Sequence, residues 1–98
     1  MDEQQQNLTP VQRLALTFPT LQDAPGVAPW NPAQLDAWAC GPAVTHGSSA
    51  AARFILMVWN PSADWACGCF DLAEAMMCWD SRHRAAFAAW VVADPFWP

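Results

Sequence analysis

The sequence predicts an all-α fold, a compact irregular bundle of about five short helices joined by proline-capped loops. Three features lead there. A capping residue followed by proline occurs at Thr9-Pro10 and again at Asn31-Pro32. Proline suits the first helical position, where the N–H has no intrahelical partner to lose. Breakers recur at Pro19, Gly41-Pro42, Asn60-Pro61 and Asp94-Pro95, so each segment between them has room for only a few helical turns. Alanine, the best helix former, fills those segments.

Each element follows in order. Residues 1–8 are polar and are expected to be a disordered tail, leaving 9–98 as one helical domain. The first helix is expected over 10–17, with Val11, Leu14, Ala15 and Phe18 on one side. Pro19, Pro25, Gly26 and Pro29 make 19–31 an irregular connector, pinned to the core by Val27 and Trp30. The second helix covers 32–40, with Leu35, Trp38 and Ala39 inward. After a loop over 42–47, Ser48 or Ser49 is expected to cap a central helix running from Ala50 to Trp59. The run Phe54–Trp59 also suits a buried strand, and periodicity does not separate the two. The alternative is therefore an α+β fold with one β-hairpin at 52–70. Asp71-Leu72-Ala73-Glu74 has capping-box spacing and predicts a helix to Trp79, with Leu72, Ala75, Met76 and Trp79 on one face. Asp80 caps the last helix, from Ser81 to about Ala93, with Phe87, Trp90 and Val91 inward and Arg84 placed to pair with Asp80. The terminal Phe96 and Trp97 are expected to dock on the body.

Charge narrows the function classes. The net charge is −5, and the one basic cluster is Arg82-His83-Arg84. A nucleic-acid binder needs a basic stripe to displace counterions from phosphates, so direct binding to DNA or RNA is not expected. Mimicry of DNA is not expected either, because nine acids spread from Asp2 to Asp94 make no phosphate-like ladder. No apolar run approaches the roughly 18 residues of a membrane span. Met1–Asn7 is acidic and Gln-rich, unlike a basic export signal, so the expected compartment is the cytoplasm, with its thiols reduced.

Four cysteines, Cys40, Cys67, Cys69 and Cys78, invite a metal reading. Cys67, Cys69, Cys78 and His46 are the candidate ligands, but a C-x-C pair is tighter than the usual zinc spacing and no second pair accompanies it. The ordinary reading makes Cys40 and Cys78 small helical core residues. No cofactor is expected. A cysteine nucleophile needs a neighbouring His base, for which His46 and His83 are available without a local signature. A small enzyme would show one of these histidines in a cavity beside a carboxylate or thiol. His46-Gly47-Ser48-Ser49 can offer free amides to an anion, although serine capping accounts for the same residues. Trp79-Asp80-Ser81-Arg82-His83-Arg84 is the most distinctive polar stretch. It reads either as a partner-binding patch or as a capped helix start, with His83 free to turn inward.

Seven tryptophans cannot all be sealed inside 98 residues, so one or two are expected to stay partly wet, Trp65 and Trp97 being the candidates. From Arg53 onward, Val58-Trp59-Asn60, Phe70-Asp71-Leu72, Trp79-Asp80, His83-Arg84-Ala85-Ala86-Phe87 and the terminal Pro95-Phe96-Trp97-Pro98 resemble a group of small Trp-rich bacterial proteins. The resemblance implies a folded family and carries no activity. The expected function is a small acidic, non-enzymatic protein–protein interaction module, a regulator or inhibitor of a larger bacterial complex or, by analogy alone, a phage counter-defence factor. Its expected contact residues are Trp65, Arg82, His83, Phe96 and Trp97, and its partner is another protein or a second copy of itself. The rival reading is a Cys/His metal-binding or redox module.

Overall fold

The computed structural model describes residues 8–93. The fold is all-α: α1 (Pro10–Leu16), a 3-10 turn (Pro19–Leu21), α2 (Pro32–Ala39), α3 (His46–Trp59), α4 (Leu72–Cys78) and α5 (Ser81–Val92). No strand occurs among the described residues, so the hairpin at 52–70 does not form. The expected tail lies outside the described residues except for Leu8, which is half-buried. So does the expected docking of Phe96 and Trp97.

Helix α3 decides the architecture. It starts earlier than the serines suggested, because Thr45 is the cap and its hydroxyl accepts the Ser48 N–H at 3.1 Å. Ser48 is itself buried rather than capping. The earlier start lengthens the helix to 14 residues, enough to satisfy its backbone internally and to settle Phe54–Trp59 as helix. Ala50, Ala51, Ala52, Phe54, Ile55 and Leu56 are buried, so α3 is apolar on most sides, as a central helix must be. The alanines let α1 and α2 come close, and α4 packs on the same helix.

The shorter helices have caps that the sequence announces. Thr9 and Gln12 form a reciprocal capping box on α1. Gln12 then reaches inward, and its side-chain amide donates to the Val27 carbonyl at 2.8 Å. That buried bond holds the connector against α1, and Val27 and Leu21 seal beneath it. Asn31 caps α2, Asp71 caps α4 and Asp80 caps α5. The box expected at Asp71 closes on one side only. Glu74 turns away to pair with Arg53 at 3.1 Å, and this half-buried arginine also donates to the Cys69 carbonyl. Two inward assignments fail: Leu72 is 48% exposed and Val91 is 47% exposed. On α5 the fully inward positions are His83 and Ala86, one turn apart. Arg84 passes over Asp80 and donates to the Met76 carbonyl at 2.7 Å, completing the open end of α4 instead.

Aromatic rings fill the space between α3, α4 and α5. Phe54 sits at the centre, with Phe70 at 5.2 Å, Phe87 at 5.3 Å, Phe18 at 5.7 Å and Trp90 at 5.0 Å between ring centroids. The tilted and edge-on geometries are those that ring quadrupoles favour. A second group, Trp30, Trp59 and Trp65, covers the far end of α3 with centroids 5.8 and 6.0 Å apart.

Candidate functional site

A cavity of about 410 Å³ opens where the 3-10 turn, the start of α3 and the junction of α4 and α5 meet. It is lined by Thr20, His46, Gly47, Cys78, Asp80 and His83 among others. Trp79 forms its inner wall. The residue lies between two helices, and its indole N–H donates to the Gly47 carbonyl at 3.0 Å, which ties the α4–α5 junction to the first turn of α3. His83 stacks on Trp79 with centroids 6.2 Å apart and planes at 26°.

His83 is the polar centre of this cavity. It is only 5% exposed, and both ring nitrogens have partners. Nδ1 lies 2.8 Å from Asp80 Oδ1, and Nε2 lies 2.9 Å from Thr20 Oγ1. Asp80 also accepts the His83 backbone N–H at 2.9 Å, as an N-cap does. That backbone bond, joined by the ring, holds the Asp80 carboxyl below the usual carboxylate range. An ionised carboxylate only accepts, so in the neutral imidazole the proton sits on Nδ1, Nε2 accepts, and the Thr20 hydroxyl donates. His83 therefore turns inward, toward side chains rather than toward a carbonyl, and leaves the exposed patch in which it was expected. Arg82 stays exposed.

The expected metal ligands do not assemble. His46 lies between two cavities. It shares the first with Cys78 and shares a second, of about 280 Å³, with Cys67, Arg53 and Glu74. Cys69 lines neither. Among the described residues no group of three or more His, Cys, Asp or Glu side chains is close enough to hold an ion. The chemistry is also adverse. Burial, and then the neighbouring Asp36 carboxylate, push the Cys67 thiol up to about 12, so it is not a ready thiolate. The Arg53 guanidinium adds a positive charge to the same cavity. All four cysteines are free, and Cys40 and Cys78 are exposed, not the core residues they were expected to be.

Asp36 is a residue that the sequence reading passed over. From α2 it reaches the 60–71 loop and accepts the backbone N–H groups of Ala66 at 3.0 Å and Cys67 at 2.9 Å. Burial raises its pKa, and the bonds from Cys67 and Ala66 outweigh that, leaving the carboxyl below its ordinary value. One consequence is measurable. At pH 8, Cys40, Cys69 and Cys78 are expected to react with a disulfide reagent at ordinary thiol rates, and Cys67 at least about tenfold more slowly. Asp36→Ala is expected to narrow the gap without closing it, because burial, the larger cause, remains. Equal rates for all four thiols in the unmodified protein would contradict this placement.

The other opening is a groove of about 380 Å³ between α1 and α5, lined by Pro10, Arg13, Leu14, Ala86, Ala89 and Trp90 among others. Its floor is apolar. The Trp90 indole N–H is buried and finds no acceptor among the described residues; the same holds for Trp30 and Trp65. Elsewhere on α5, Val92 is 82% exposed. Trp65, the expected wet ring, is half-buried, while Trp59 is 43% exposed at the other end of α3. Trp65 and Arg82 thus line neither opening. Phe96 and Trp97 lie outside the described residues. No helix among the described residues is long and apolar enough to cross a membrane. The chain matches no family model, no curated protein and no solved structure.

Proposed function

We propose that the protein is a small protein–protein interaction module that takes an amphipathic helix of a larger protein into the groove between α1 and α5. The observation that carries this reading is the groove itself: an open, mainly apolar trough of about 380 Å³ lined by Leu14, Ala86, Ala89 and Trp90. Among the described residues its apolar lining is open to solvent. Ala86 and Ala89 project only a methyl group, so a partner helix can approach closely. Arg13 is the charged residue of the lining, which selects a partner with an acidic residue beside its apolar stripe. A net charge of −5 disfavours nucleic acid in the same place.

In this reading the module acts as a regulator or inhibitor seated on a larger bacterial complex, without catalysis of its own. The compartment is the cytoplasm, where its thiols stay reduced. The metal or redox alternative receives no support from the cavity around Cys67.

Ala89 is exposed, so Ala89→Trp fills the groove without disturbing the core. The variant is expected to keep its helical circular dichroism and to lose, by at least about tenfold, a host protein that the unmodified chain captures at stoichiometric yield. Identical capture by both chains would count against the groove. A second copy of this chain is the competing occupant. It would appear as a concentration-dependent dimer in sedimentation that Ala89→Trp dissolves.

A further inference from the structure

We infer that Thr20 is an activated hydroxyl, a site of covalent acylation by activated esters or thioesters, with His83 as its base and Asp80 as the group that orients His83. The inference is independent of the groove, which lies in a different cavity. Its basis is geometric. Thr20 Oγ1, His83 Nε2, His83 Nδ1 and Asp80 Oδ1 form one chain with links of 2.9 and 2.8 Å. That is the order of hydroxyl, imidazole and carboxylate by which a hydroxyl nucleophile is deprotonated.

The burial pattern fits the assignment. Thr20 is exposed and lines the cavity, within reach of a reagent, whereas the ring that accepts its proton is buried, stacked on Trp79 and in tilted contact with Phe18, 5.9 Å away. Capping of α5 by Asp80 needs only the backbone bond to His83. It does not call for the ring to turn in, nor for a hydroxyl from a segment 63 positions away to meet it. The first turn of α3 also lines the cavity, and its His46 and Gly47 amides have no intrahelical acceptor. Amides so placed can stabilise a developing oxyanion.

The step balances within these groups and the donor. As Thr20 Oγ1 attacks the acyl carbon, its proton passes to His83 Nε2. Collapse of the tetrahedral intermediate breaks the bond from carbon to the leaving oxygen or sulfur, and His83 returns the proton to that leaving group. The product is an O-acyl threonine, with nothing oxidised or reduced. Asp80 is a positioning residue in this scheme. It keeps the proton on Nδ1 and the lone pair on Nε2.

The test uses the full chain and p-nitrophenyl acetate, with the label both located and timed at each position by peptide mass mapping, which keeps Thr20 apart from the exposed thiols Cys40, Cys69 and Cys78. One acetyl group is expected on Thr20. It should be absent from Thr20→Ala and retained in Thr20→Ser, whose hydroxyl is less hindered. Because asparagine caps helices as well as aspartate does, Asp80→Asn keeps α5 capped. Its acetylation at position 20 is expected to be about a hundredfold slower, the range in which a general base contributes. Acetylation of Cys78 or His46 with Thr20 unlabelled would overturn the inference. So would a rate at Thr20 that Asp80→Asn leaves unchanged.

Discussion

Phe54→Ala is expected to abolish the cooperative fold or to lower its melting temperature by at least about 12 °C, as read by circular dichroism on heating and in urea. Phe54 is completely buried, and Phe18, Phe70, Phe87 and Trp90 all lie against its ring. Removing a buried Phe side chain costs about 3–5 kcal/mol, part of it from the void left behind. Rigid rings converging from three separate segments cannot collapse into that void. A domain of this size has about 5–15 kcal/mol of total stability, so the loss is a large share of the whole. Phe54→Leu keeps much of the volume and is expected to lose less than half as much. Equal melting temperatures for the alanine variant and the parent would show that the cluster is not the core.

Gly26→Ala is expected to have an effect of comparable size, for a different reason. Gly26 has φ of +93°, a region that L side chains rarely adopt. A Cβ at this position would also lie 2.5 Å from the Leu35 nitrogen and 2.6 Å from the Asn31 carbonyl oxygen. Both are backbone atoms of the first turn of α2, and neither can swing aside. The Gly26 carbonyl meanwhile accepts the Asn31 N–H at 2.7 Å, so the connector cannot lift off without losing that bond. Strain and overlap together are expected to cost about 2–5 kcal/mol. Gly68 supplies the internal control. Its φ is +97°, but no atom lies within 4 Å of where its Cβ would be. Gly68→Ala therefore measures backbone strain alone and is expected to cost about 1–2 kcal/mol. Urea denaturation of the two variants separates the contributions, and equal losses would mean that the contact with α2 carries no weight.

The helices were legible because their signals are local. A cap followed by proline depends on adjacent residues, and Thr9, Asn31, Asp71 and Asp80 all cap where the sequence places them. Boundaries shifted mainly where two caps competed. Thr45 prevailed over Ser48 and Ser49 because packing buries Ser48 against its neighbours, a constraint that local composition does not carry. Leu72 and Val91 were misplaced for a related reason. Helical spacing finds an apolar face, but it does not say how much of that face a neighbour covers.

The candidate site was less legible. His83 and Asp80 stood out in the sequence, either as a surface patch or with His83 turned toward a carbonyl, and neither reading found Thr20, which comes from a 3-10 turn 63 positions away. Asp36 escaped notice because its acceptors' partners, the amides of Ala66 and Cys67, belong to a loop with no sequence signature.

Residue order alone therefore determined that the chain is helical, where four of the five helices are capped, and that aromatic rings form much of its interior, since these follow from interactions a few residues long and from composition. Tertiary structure alone decided which way His83 turns, which hydroxyl it meets, and that α1 and α5 leave a groove between them. Those outcomes depend on how distant segments share space around α3, and a hydrogen bond between remote residues leaves no trace in the spacing of either.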